Sequence, residues 1–396
     1  MVLLLKPSML IRGIQLTRVA IVGGGFSGLI FSLKLAEAGL NVTLFEEHDR
    51  VGYPPHCTGI ISLSTLRYVG SIAKHHIEST LNSIKVECCG KTLAEIKVDG
   101  GLFKVDRVSL EKSLVREAER QGVDVRLGCK VYSVGLDGSL RSSCSPTYMY
   151  HLVVVADGWR RTISSKLGLG GYHRRLTGIN VKTSCKSARR STGYAIVRPL
   201  TPHSPDFFEW RVEMESGYTL LGAASSEPST LRSILVNASK SGCKILSVDG
   251  GQVVLGPPRG PLTLGRVAVA GDAGGLTKPL TGGGLYPSAK AANMAKNMVE
   301  RGVDPREAVG RSLEYVAKEL RRQVLAAKLL FSSRHLYEAA AEVLEGPLEV
   351  NIDFDRIDTA ALVRIAAGSL SRLKPWSLAS PRLWMLLARA ALSLFL

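Results

Sequence analysis

Apolar residues fall in short runs at residues 19–22, 42–45 (broken only by Thr43), 152–155 and 267–270, the form taken by strands buried on both faces of a parallel sheet. After the first run the spacing becomes helical over residues 27–38, with Leu29, Ile30, Leu33 and Leu35 on one face and Gly39 as the stop. A second helix is predicted over residues 109–121, ended by Gly122, with a strand at 123–126 behind it. Between residues 179 and 254 the helical rhythm disappears. Short apolar and polar pieces alternate there around Tyr194, Phe207 and Tyr218, as along an antiparallel sheet. From Tyr286 the pattern turns mostly helical, over residues 288–300, 304–331 and 336–344. The order predicts an α/β chain whose parallel sheet is interrupted by a mostly antiparallel one and followed by helices.

Composition adds a frame. At 396 residues the chain has room for two or three domains and a large core. The seven cysteines are odd in number and none forms a CxxC pair, which argues against a disulfide framework or a zinc site and for a reducing, cytoplasmic interior. The apolar run at residues 1–5 is short, lacks a basic start and is followed by Pro7, so residues 1–16 read as a leader rather than a signal peptide. The net charge of +17 is unevenly placed: residues 159–190 carry no acid but include Arg160, Arg161, Lys166, Arg174, Arg175, Lys182, Lys186, Arg189 and Arg190. Such a block suits an anionic membrane or a phosphorylated ligand, and equally a solvated face. Without interleaved aromatics, a helix-turn-helix or a zinc finger, nucleic acid is not an expected partner. Residues 381–396 are apolar but too short to span a bilayer. They suit an interfacial helix or one packed on the core.

The chemistry lies between the runs. Gly23-Gly24-Gly25-Phe26-Ser27-Gly28 fills the turn from first strand to first helix. Glycines there permit a tight turn and close backbone approach, and the helix amino terminus offers free N–H groups to a pyrophosphate. Glu46, with Glu47 beside it, ends the second strand about 20 residues on, where an acid takes ribose hydroxyls. Far downstream, Gly271-Asp272-Ala273-Gly274-Gly275 precedes Pro279-Leu280-Thr281-Gly282-Gly283-Gly284. Two such loops at opposite ends of one chain predict a single large dinucleotide held from both sides, FAD rather than NAD.

The order of motifs resembles the glutathione-reductase-type FAD fold, in the branch shared with p-hydroxybenzoate hydroxylase, and in more detail the geranylgeranyl reductase family. The matching stretches are the first glycine loop with Glu46, Gly52-Tyr53-Pro54-Pro55-His56-Cys57-Thr58-Gly59, Asp106-Arg107, Asp157-Gly158, and Gly271 to Gly284 with Leu285-Tyr286. The resemblance implies a Rossmann-like FAD-binding domain from residues 17–175 and 255–300, an inserted β-sheet substrate domain at 176–254 and a helical region at 301–396. It implies that Gly23, Gly25, Phe26, Ser27, Gly28, Glu46 and Glu47 hold the adenosine and pyrophosphate, with Arg107, Asp157 and Gly158 along the same groove. Gly271 and Asp272 would meet the ribityl chain or the adjoining pyrophosphate. Gly282, Gly283, Gly284 and Leu285 would bring a helix amino terminus to the pyrimidine end of the flavin ring. Cys57 and Tyr286 would be catalytic, with His56 an alternative acid. By residue type alone, Cys57 reads equally as a small buried hydrophobe, Asp157 as a turn cap and Arg107 as a partner of Asp106.

The implied activity is hydride transfer from reduced FAD to C=C bonds of a geranylgeranylated lipid, with NAD(P)H or a ferredoxin-like protein as electron donor. No metal is expected. A peripheral contact with the inner membrane face would follow from the substrate. The family's tryptophan-containing stretch in the sheet domain has no match in Tyr194 to Pro199 or Tyr218 to Leu221. The rival readings are an aromatic mono-oxygenase using NAD(P)H and O2, and a prenyl-binding protein without flavin.

Overall fold

In the computed structural model, residues 17–361 are described apart from His56, Ser145, 185–192, Ser241 and Thr359, together with scattered positions between 363 and 389. The expectations for the leader, for His56 and for most of residues 381–396 lie outside the described residues.

The apolar runs form one six-stranded sheet in the order Thr263–Leu264, Val267–Val269, Leu152–Val155, Arg18–Val22, Asn41–Phe45, Asp124–Arg126. All its pairings are parallel except the one at the Thr263–Leu264 edge. Val19 to Ile21 and Val153 to Val155 are fully buried because both faces are covered, one by helices and the other by the small three-stranded sheet with Ile163 and Leu169. The helix Phe26–Glu37 packs against Leu285–Glu300 and Arg107–Arg120. Strand order reverses at Arg18–Val22, so the crevice beyond the strands' carboxyl ends opens there.

The second sheet has nine strands and is mostly antiparallel. It is larger than the predicted insert. Beyond Arg174–Ser184, Tyr194–Thr201, Ser204–Glu213, Tyr218–Ser225 and Lys244–Leu255, it takes in the hairpin Ile77–Cys88 and Lys91–Val105, the short strand Ile60–Ser62, and Leu348–Ile352. The expected boundaries at 176 and 254 therefore do not bound this sheet. The reason is non-local pairing: Tyr194 to Val197 pair in parallel with Ser83 to Val86, and Leu348 to Ile352 with Ala94 to Val98.

The carboxyl-terminal region is also not purely helical, since Leu348–Ile352 extends the sheet. The expected helix over 304–331 is two, Pro305–Arg322 and Val324–Leu330, separated at buried Gln323, whose side-chain amide donates to the Asp355 carbonyl at 3.0 Å. No helix of the described residues is long and apolar enough to cross a membrane.

The expectation that argued against disulfides is overturned. Cys129 and Cys144 form a disulfide across the small sheet beside Glu46, and Cys243 is disulfide-bonded too. Spacing along the chain carried no CxxC signal because the bond joins positions brought together by that small sheet's turns.

Candidate functional site

The carboxyl ends of four parallel strands deliver Gly23, Glu46, Ala156-Asp157 and Ala270-Gly271 to one crevice. The first loop is tight: a Cβ on Gly28 would stand 1.8 Å from the Gly23 carbonyl oxygen. Gly25 is the amino-terminal flank of the Phe26–Glu37 helix, carries no capping side chain, and has open space where a Cβ would be. The first N–H groups of that helix therefore face the cavity without an intrahelical partner. Gly271, at φ +63°, lies against Ser27, whose Cβ would be 2.7 Å from any Cβ placed there. The two glycine motifs, far apart in the chain, are thus in contact.

Around this junction the predicted residues take distinct roles. Glu46 is nearly buried and accepts from the Gly24 N–H at 2.5 Å and from the His48 N–H at 2.9 Å. Glu47 pairs with Lys130 at 3.3 Å. Asp106 caps the Arg107–Arg120 helix, accepting from Val108 and Ser109, and so does not pair with Arg107. Arg107 instead pairs with Glu111 one helical turn on, touches Cys57, and holds its guanidinium carbon 5.3 Å from the Phe26 ring centre. Burial alone would lower the pKa of Arg107, but the Glu111 carboxylate and Cys57 outweigh it and keep the guanidinium charged. Asp157 spends its carboxylate on a turn: it accepts from the N–H groups of Ile163 at 2.6 Å and Ser164 at 3.1 Å. Asp157 and Gly158 nonetheless line the crevice. Asp272 is the second residue of the short turn Gly271–Gly274, and its Oδ1 lies 3.3 Å from the position of a Cβ on Gly284. Gly284 in turn flanks the helix Leu285–Glu300 without a side-chain cap.

Cys57 is a free, exposed thiol on the cavity wall, with its sulfur 3.4 Å from the Gly59 N–H. Gly59, at φ +76°, could not carry a side chain, since a Cβ would stand 2.5 Å from the Val105 carbonyl oxygen. Tyr286 does not join this group. It is 5% exposed, does not line the cavity, and its hydroxyl meets Lys290 at 3.2 Å and Arg356 at 3.4 Å. Leu285 and Ser288 face the cavity from the same helix. Tyr286 follows Leu285 by one residue, about 100° round a helix of 3.6 residues per turn, which turns it into the core. Burial pushes its pKa up, so it stays protonated.

The cavity measures about 1190 Å³ and runs from the glycine motifs to an apolar wall. Ile84 and Val86, Ala94 and Ile96, Ala195 and Val197, and Leu348, Val350 and Ile352 all line it. They alternate along their strands, so one face of the second sheet supplies them. Phe331 closes part of the far side and is tilted against Phe207, with ring centres 5.2 Å apart.

Trp210, Asn180 and Lys278 also line the cavity and were not singled out from the sequence. Trp210 lies over Gly222 of the next strand, where a Cβ would stand 2.2 Å from the indole, and donates to Asn180 Oδ1 at 3.1 Å. Thr58, next to Cys57, donates to the same oxygen at 3.0 Å, tying the cysteine loop to the sheet. A tryptophan thus faces the site from Ser204–Glu213, a strand whose aromatic run Phe207-Phe208-Glu209-Trp210 was the available signal. Lys278 left no comparable pattern.

Residues 21–54 match the family model of an NAD(P)-binding Rossmann-like domain. The chain is 26% identical to digeranylgeranylglycerophospholipid reductase 2 of Methanothermobacter thermautotrophicus, a match covering 90% of this chain and 97% of the relative. It is 24% identical to digeranylgeranylglycerophospholipid reductase of Methanocella arvoryzae, covering 87% and 94%. Among solved structures, a geranylgeranyl bacteriochlorophyll reductase-like protein from Thermoplasma acidophilum superposes with a TM-score of 0.73 at 16% identity, over 90% of this chain and 97% of that one. The p-nitrophenol 4-monooxygenase of Pseudomonas putida superposes with a TM-score of 0.67 at 16% identity, over 90% and 98%. Along nearly its whole length the chain is therefore similar in sequence to reductases of the geranylgeranyl type, and it shares its fold with these solved structures.

Proposed function

We propose that this protein is an FAD-dependent reductase of C=C bonds in the geranylgeranyl chains of an isoprenoid lipid. The observation that carries the reading is the single cavity, which joins a dinucleotide-type crevice to a long apolar wall. The crevice fits the cofactor: buried Ser27 Oγ and Arg107 Nε both lack a hydrogen-bond partner, and the Gly25 and Gly284 helix ends lack caps. In this reading Arg107 and the N–H groups after Gly25 hold the pyrophosphate, Glu46 the ribose, Asp272 the ribityl chain, and Gly282 to Gly284 the pyrimidine end. Bound flavin supplies the hydride.

The chain's own residues do the rest. The apolar sheet face binds and straightens the prenyl chain and keeps water out. Trp210 and Asn180 orient the alkene next to the cysteine loop. Cys57 delivers the proton from its sulfur, with Arg107 beside it to steady the thiolate left behind. Electrons come from NAD(P)H or a small ferredoxin-like protein, and access to the lipid implies a contact with a membrane surface.

The test is anaerobic. The yellow protein is reduced with dithionite and mixed with a geranylgeranylated glycerophospholipid while flavin absorbance and product mass are followed. Flavin reoxidation with one H2 gained per double bond is the expected result. A flavin that stays reduced until air enters, with substrate-dependent oxygen uptake, would replace this reading with the mono-oxygenase. Pure protein that binds the lipid but holds no flavin would replace it with the prenyl-binding protein.

A further inference from the structure

We infer that Lys278 sets the reduction potential of the bound flavin and that Asp355 tempers it. This rests on the proposed FAD site. Lys278 lies between the two glycine clusters of the downstream motif and is 4% exposed, yet it lines the cavity. Its backbone closes the turn that presents the glycines: the Lys278 N–H donates to the Gly283 carbonyl at 3.2 Å, and the Gly282 N–H donates to the Lys278 carbonyl at 2.9 Å. Its side chain folds back on the same turn, so that a Cβ on Gly283 would stand 2.8 Å from Lys278 Cε and 3.5 Å from Nζ. The ammonium therefore sits against the backbone that faces the pyrimidine end of the ring.

Its counter-ion comes from the far end of the chain. Nζ donates to Asp355 Oδ1 at 3.0 Å and to the Phe354 carbonyl at 3.3 Å, and lies 3.9 Å from the Phe354 ring centre. Asp355 is 1% exposed, also accepts from the Ser62 hydroxyl, and does not line the cavity. The buried pair is thus polarised, with its positive end toward the cavity and its negative end behind. Uptake of two electrons and one proton leaves a flavin ring with a net negative charge on its pyrimidine side. In a low-dielectric site a cation there favours the reduced form, and the carboxylate behind it partly cancels that effect.

Lys278 and Asp355 are accordingly positioning residues with opposite influence. The experiment is a dye-equilibrated reductive titration of the holoprotein and its variants. Lys278→Met is expected to lower the midpoint potential and Asp355→Asn to raise it. The double variant Lys278→Met/Asp355→Leu removes the pair without orphaning either charge, a replacement that buried pairs often tolerate. It is expected to lower the potential, in the same direction as Lys278→Met. As a check that needs no reductant, sulfite adds its sulfur lone pair to flavin N5 and pushes an electron pair to the pyrimidine side. Its dissociation constant should rise on the order of tenfold without Lys278. Potentials that coincide with wild type, or that shift the same way in Lys278→Met and Asp355→Asn, would overturn the inference while leaving the FAD reading intact. A wild-type protein without flavin would instead remove the reading on which it rests.

Discussion

Gly28 and Gly25 belong to one motif and fail in different ways when substituted. Gly28 packs its Cα against the Gly23 carbonyl, with no space for even a methyl group. Gly28→Ala should cost more than about 4 kcal/mol, the range reserved for severe backbone clashes, seen as a collapse of the thermal melting temperature. Gly25 has an extended backbone, at φ −72° and ψ 175°, and nothing within 4 Å of a Cβ. Gly25→Ala should melt like the wild type yet retain far less flavin, read as the flavin-to-protein absorbance ratio after gel filtration. The pair separates the glycine that builds the turn from the one that leaves room for a ligand. Tyr286 makes the complementary point: its place beside the last glycines suggested chemistry, but its rotation about the helix assigned it to a buried contact with Lys290 and Arg356.

At the scale of elements, the Arg107–Arg120 helix shows how one cap supports the site. Asp106 holds the free N–H groups of Val108 and Ser109, which fixes where the helix begins and so where Arg107 points. Burial would raise the Asp106 pKa, but the hydrogen bonds from Ser109 and Val108 and the charge of Lys104 outweigh it, and the folded-state value is lowered. Stability from a carboxyl with a depressed folded pKa is fully present above its unfolded value near ~4. It is lost as pH falls through the lower folded value. Asp106→Ala should therefore cost about 1 kcal/mol at neutral pH. Asp106→Asn should keep most of the cap while removing this residue's part of the acid sensitivity. Urea melts of both variants from neutral to acid pH check the sign: the gap between wild type and Asp106→Asn should narrow or invert as the wild-type carboxylate is protonated.

At the scale of the molecule, the apolar end of the cavity is assembled from pieces that touch only after folding. Ala94 is opposite Val86 on one side and Leu348 on the other, and all three line the cavity. Ala94→Trp would fill space at the apolar end without approaching the glycine motifs. The expected outcome is a yellow protein that still reduces short prenyl alcohols but loses most turnover of geranylgeranyl chains, measured by product mass across a chain-length series. Equal loss for all lengths would mean that long chains do not extend along this wall.

What the sequence determined by itself was whatever depends on a residue and its near neighbours. The buried strand runs, the first helix with its glycine stop, and the two glycine motifs were all readable, because backbone freedom and 3.6-residue or uninterrupted apolar periodicity are local properties. The resemblance to the geranylgeranyl reductase family rested on those motifs and agrees with the names of the relatives. Only the tertiary structure decided which distant pieces share the cavity. Parallel pairing of Tyr194 to Val197 with Ser83 to Val86, the strand Leu348–Ile352 at the sheet edge, the Cys129–Cys144 bond and the Lys278–Asp355 pair all join segments far apart along the chain or across a turn. No local pattern marks such partners, since the free energy that selects them comes from burying surfaces which exist only once both pieces are in place.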